Sequence, residues 1–112
     1  MRAWHEFPGA PAPGTAICEA GVAAPVSEIL GKLPVLVVPT SAGPRAFVNL
    51  CPHQFLPLDQ RDSDVQNGDR LICSNHDAVF DALTGEGLSG HAEGCRLAEI
   101  PLKEQDGQLV IA

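Results

Sequence analysis

Two stretches decide the fold: CPHQFLPLDQ, Cys51 to Gln60, and LICSNHDAVFDALTGEGLSG, Leu71 to Gly90. Each opens with one cysteine and one histidine at close spacing, Cys51-Pro52-His53 in the first and Cys73-Ser74-Asn75-His76 in the second. A Cys-x-His and a Cys-x-x-His on separate loops supply two thiolates and two imidazoles to one compact centre. That donor set suits a tetrahedral zinc, or a two-iron cluster with cysteines on one iron and histidines on the other. Zinc sites with two Cys and two His usually pair like with like, Cys with Cys and His with His. Here the two residue types alternate within each half, which weighs against zinc.

The sequence around these loops is punctuated for short strands. Thr15 to Cys18 reads as a strand, and Glu28 to Leu30 as a strand or a single turn. Val35 to Val38 is an unbroken apolar run between prolines, the pattern of a strand buried on both faces. Ser41-Ala42-Gly43-Pro44 turns the chain, and Ala46 to Leu50 delivers it into Cys51. Asn67-Gly68 marks a tight turn within the polar stretch Leu58 to Arg70. Leu71-Ile72 leads into the second loop, Ala78 to Asp81 leads out, and Thr84-Gly85 turns the chain again. Leu97 to Leu102 and Gln108 to Ile111 are expected to form a closing hairpin around Asp106-Gly107. Nothing reads as an amphipathic helix of three turns. The expectation is an all-β domain with the ligand loops at one tip.

Length and composition bound the function. A chain of 112 residues makes one domain with a modest core. No run of about 18 apolar residues is present to span a bilayer. No signal peptide is visible, so a cytoplasmic location and reduced cysteines are expected. The formal charge of −7 argues against nucleic acid, whose binders carry basic faces, and favours a positively charged partner. Residues Met1 to Gly14 read as an arm that Trp4 and Phe7 could pin to the body.

The two stretches together resemble the Rieske [2Fe–2S] family. The resemblance rests on the Cys-Pro-His triplet, the leucines flanking Pro57, Cys-x-x-His, Phe80-Asp81, Thr84-Gly85 and the apolar ending IPLKEQDGQLVIA, and it covers Thr15 to the end of the chain. It implies an antiparallel β-sandwich or barrel carrying a small cluster-binding subdomain made of two loops. The implied division is an arm at 1–14, a basal β subdomain at 15–50 and 93–112, and a cluster-binding subdomain at 51–92. By the same resemblance Cys51 and Cys73 bind the inner iron, and His53 and His76 bind the outer one. Imidazoles in place of two thiolates remove negative charge from the cluster and raise its potential above that of a four-cysteine ferredoxin.

The resemblance also narrows the subtype. High-potential members carry a disulfide between the loops and hydroxyls two and four residues after the last histidine ligand. The matching positions here are Leu56 and Asn75, and Ala78 and Phe80. Neither the bridge nor the hydroxyl hydrogen bonds can form, and without those bonds the reduced, more negative cluster is less stabilised. The implied protein is a low-potential soluble carrier similar to the ferredoxins of bacterial ring-hydroxylating oxygenases. It would take one electron from a flavin-containing reductase and pass it to a terminal oxygenase, with no catalysis and no small-molecule substrate of its own. Two other readings stand beside it: a Rieske-like small subunit of a nitrite reductase, and a non-redox zinc-binding interaction module.

Asp77 stands where the family usually has Gly after the last ligand, and His91 where it tends to have Pro. Both are read as solvated loop residues. Cys18 and Cys95 are left over and are expected to be buried free thiols. The acids between Asp59 and Asp81 outnumber Arg61 and Arg70 and could steer a basic partner.

Overall fold

A computed structural model of the chain describes residues 3–7, 9–50, 66–72, 78–90 and 94–112. Eleven strands form among them: β1 (Ala16–Glu19), β2 (Val26–Leu30), β3 (Leu33–Thr40), β4 (Gly43–Val48), β5 (Gln66–Asn67), β6 (Arg70–Ile72), β7 (Val79–Asp81), β8 (Gly87–Ser89), β9 (Glu99–Ile100), β10 (Leu102–Gln105) and β11 (Gln108–Ile111). All pairings are antiparallel. They make three sheets, with strand orders β1-β11-β10, β2-β3-β4-β9 and β5-β6-β7-β8. No α-helix occurs among the described residues, only a 3-10 turn at Trp4–Glu6. Among the described residues no helix is long and apolar enough to cross a membrane.

The all-apolar run in β3 explains how the sheets stack. Successive side chains of a strand point to opposite faces. Leu33, Val35 and Val37 join Ala46, Val48 and Ile100 in one core with Ile17, Leu109 and Ile111 of the first sheet. Leu36, Val38 and Phe47 face the other way, into a second core with Leu71, Phe80, Ala82 and Leu97. The second sheet is therefore the middle layer, apolar on both faces, and burying each such side chain is worth about 1.5–3 kcal/mol. Trp4, Phe7 and Ala10 pack against the first core, so the N-terminal arm is fastened there.

Several elements differ from their sequence reading. Strand β3 runs past both prolines. Pro34 still accepts a hydrogen bond, from the Asn49 N–H at 2.9 Å. In an antiparallel strand a residue's N–H and C=O point to the same neighbour, so the missing donor of Pro34 leaves the β2 ladder intact. Strand β2 begins at Val26, and Glu28 to Leu30 is strand rather than turn. The closing hairpin is shorter than expected. Pro101 divides its first arm, so that β9 pairs with β4 in the middle sheet while β10 pairs with β11 in the first. Asp106 and Gly107, at φ 53° and 79°, make the two left-handed positions of a tight hairpin turn, as Asp-Gly at this place demands. In the β5–β6 hairpin Asn67 pairs with Arg70, so the turn residues are Gly68 and Asp69, one position later than expected.

Candidate metal centre

Both loops that carry the Cys-His pairs are rooted in the same apolar core. Phe47, four residues before Cys51, is fully buried in it. Leu71, two before Cys73, is there too, with Ala78 and Phe80, two and four after His76. The register pair Ile72↔Val79 closes the second loop as the end of the β6–β7 hairpin. The entry to the first loop and both ends of the second thus converge on one dry cluster. Close packing of Phe47 against Leu71 and Phe80 fixes the separation of these stems, since such cores tolerate little change of volume.

The entry to the first loop has a second anchor. Asn49 is the one buried polar residue among the described ones, at 2% exposure. Its N–H donates to Pro34 O at 2.9 Å, and its Nδ2 donates to Ser27 Oγ at 3.3 Å. Just before it, the Val48 N–H donates to Ala98 O at 2.9 Å, joining β4 to the chain ahead of β9.

Polar contacts tie the hairpin that feeds the second loop to the middle sheet. The Gln66 side-chain amide donates to Pro39 O and, at 2.9 Å, to Gly68 O. The Asp69 carboxylate accepts the Ser41 hydroxyl at 2.6 Å and the Ser41 N–H at 2.8 Å. The hydroxyl bond, then the backbone bond, hold the Asp69 carboxyl below the usual carboxylate range. Leaving the second loop, Asp81 Oδ1 accepts the Leu83 N–H at 2.8 Å, and the Gly85 N–H returns to Asp81 O at 2.7 Å. Gly85 has φ +83°. A Cβ there would stand 2.9 Å from Leu97 O and 3.0 Å from Phe47 Cε1. The Thr84-Gly85 turn is thus pressed against the core beneath the loops, and both backbone conformation and space require glycine.

The four residues expected to bind metal, Cys51, His53, Cys73 and His76, lie outside the described residues, as do Leu56, Asn75, Asp77 and His91. Most of the acidic stretch beginning at Asp59 lies outside as well. Among the described residues no group of three or more His, Cys, Asp or Glu comes together as a metal site. Ala78 and Phe80 are fully buried, so the two positions that could have carried hydroxyls are apolar and packed. Cys18 and Cys95 are free thiols, half-buried rather than buried. Burial, then Glu28 and Glu19, push the Cys18 thiol above its ordinary value. Two supporting residues carry little signal in the sequence. Asn49 is signalled only by its place on the same face as Phe47, two positions along an apolar run. Asp69 carries no local signal, because its partner lies 28 residues away.

The Rieske [2Fe-2S] domain family matches residues 19–105. No curated protein sequence matches. Among solved structures, a ferredoxin from Sphingomonas yanoikuyae B1 superposes with a TM-score of 0.74 at 22% identity, covering 88% of this chain and 96% of that one. The ferredoxin of carbazole 1,9a-dioxygenase from Nocardioides aromaticivorans IC177 gives 0.69 at 18% identity, covering 91% and 98%. A complex of reduced oxygenase and oxidized ferredoxin in carbazole 1,9a-dioxygenase gives 0.61 at 20% identity, covering 100% and 98%. At these identities the structural likeness establishes the all-β Rieske fold.

Proposed function

The chain belongs to the Rieske [2Fe–2S] domain family, whose cofactor is a Rieske-type [2Fe–2S] cluster, and from that premise we propose that it is a low-potential one-electron carrier serving a terminal oxygenase. The family's cofactor displaces the zinc reading. The cluster, when bound, supplies a one-electron couple. The donor set of this chain fits it: two thiolates for one iron and two imidazoles for the other, on loops whose stems meet in one core. We assign Cys51 and Cys73 to the inner iron and His53 and His76 to the outer, with the free ring nitrogens turned towards the redox partner. Residues 51–92 then form the cluster-binding subdomain on a base made by 15–50 and 93–112.

The observation that carries the low-potential reading is the complete burial of Ala78 and Phe80 in the core under the second loop. Neither side chain offers a donor, and a hydrogen bond to cluster or ligand sulfur is what would favour the reduced form. Support for the oxygenase as recipient comes from the likeness to the ferredoxin of carbazole 1,9a-dioxygenase, which this chain matches over 98% of that protein's length. The donor in this proposal is a flavin-containing reductase in the cytoplasm. The chain binds no substrate and performs no catalysis itself.

Reconstitution tests it. Oxidised and reduced spectra, with electron paramagnetic resonance of the reduced form, should give a Rieske signal and a potential below zero volts. Reduction by a flavin-containing reductase should be followed by rapid reoxidation only when a terminal oxygenase and its substrate are both present. Reoxidation at the same rate without an oxygenase would overturn the proposal.

A further inference from the structure

We infer that Asn49 is a positioning residue for the first ligand loop. Its carboxamide fastens the chain to the middle sheet two residues ahead of Cys51 and so sets where that thiolate begins. The inference rests on the proposed reading of Cys51 as a ligand. Asn49 follows Ala46-Phe47-Val48, and Leu50 comes next, so its immediate neighbours in the sequence are apolar. It continues the face on which Phe47 meets the core beneath the second loop. An apolar side chain would extend that core. A carboxamide there loses its water, and an unsatisfied buried amide costs about 1–3 kcal/mol.

The structure shows how it is satisfied. Asn49 Nδ2 reaches across β3 to Ser27 Oγ on β2 at 3.3 Å, while its own N–H is bonded to Pro34 O at 2.9 Å. The residue is gripped by two different strands at the last point where the loop's stem still belongs to the sheet. A backbone bond alone fixes one direction of the chain. Adding the side-chain bond fixes its rotation, and that rotation decides which way the following residues leave. A hydrogen-bonded buried polar group specifies one geometry where an apolar one would accept several.

The test uses the cluster-loaded protein with Asn49→Leu, Asn49→Asp and Ser27→Ala, beside Cys51→Ser. Readouts are the rate at which visible absorbance bleaches at a fixed temperature, the resonance line shape of the reduced form, and the urea midpoint. Asn49→Leu, close in volume but unable to hydrogen-bond, should bleach about fivefold faster, the rate equivalent of one net hydrogen bond, with a broadened signal. Asn49→Asp loses the donor and should move the same way. Ser27 is exposed, so Ser27→Ala will fold, and it should bleach measurably faster than wild type. If Asn49→Leu does not fold, the other two variants carry the test. Wild-type bleaching and line shape in the variants that fold would overturn the inference, as would a lowered urea midpoint with both unchanged. A Cys51→Ser protein that keeps the wild-type signal would instead remove the ligand reading. Loss of the signal there, with wild-type behaviour in the Asn49 and Ser27 variants, removes only the role of Asn49.

Discussion

At the scale of single residues, positions near the loops are held by constraints of different kinds. Gly85 is constrained by backbone and space together. Its φ of +83° costs an L-residue about 1–2 kcal/mol. The contacts a Cβ would make, with a backbone carbonyl and a buried ring, add overpacking of about 1–3 kcal/mol. Gly85→Ala should therefore lower stability by about 2–5 kcal/mol, read from urea unfolding, and a loss under 1 kcal/mol would show that the turn relaxes freely. Ala78 is constrained only by packing. Replacing it with serine adds a hydroxyl two residues after His76, where a donor can stabilise the reduced cluster. Ala78→Ser should raise the reduction potential in a redox titration. An unchanged or lowered potential would mean that this position does not report to the cluster.

At the scale of elements, the middle sheet separates what the sequence could reveal from what it could not. The run Val35 to Val38 carries no polar residue, so burial on both faces was readable, and with it the need for a layer on either side. Asp106-Gly107 named its own hairpin, because few dipeptides accept two left-handed residues in succession. The route of Leu97 to Leu102 was not readable. Pro101 ends one strand and frees the next to join another sheet, and only long-range pairing decides which. The proposed ligand residues stand out by type and spacing, whereas the meeting of the loop stems on Phe47, Leu71 and Phe80 is a tertiary fact. The bond between Ser41 and Asp69 belongs here too, joining the β3–β4 turn to the hairpin of the second loop. The folded-state pKa of Asp69 is depressed, so its contribution is present above the unfolded carboxylate pKa and lost as pH falls through the lower folded value. Thermal midpoints of wild type and Asp69→Ala should differ at neutral pH and converge on acidification below the usual carboxylate range. A gap that persists at low pH would assign the effect to packing rather than to the ionised bond.

At the scale of the whole molecule, charge governs the encounter that electron transfer requires. Fourteen acidic side chains against seven basic ones leave −7 at neutral pH. The excess is marked over residues 51–92, where Asp59, Asp62, Asp64, Asp69, Asp77, Asp81 and Glu86 stand against only Arg61 and Arg70 as formal charges. Apart from the hydrogen bonds of Asp69 and Asp81, such a distribution does little for the fold, since exposed charges separated by water contribute weakly to stability. On the proposed carrier function it would act at a distance, favouring encounter with a partner whose docking face is basic. The reach of that field is the Debye length, about 30 Å at 0.01 M salt and about 8 Å at 0.15 M. The second-order rate of reduction by a flavin-containing reductase should therefore fall steeply across this range, while the potential of the cluster changes little. Asp62→Asn combined with Asp64→Asn should flatten the dependence by removing charge beside the loops, whereas Glu104→Gln, on β10 in another sheet, should leave its slope nearly unchanged. Stopped-flow rates that ignore salt would show that the acids only solvate the surface. Equal slopes for the loop and β10 variants would show that net charge, rather than its placement around the loops, sets the encounter.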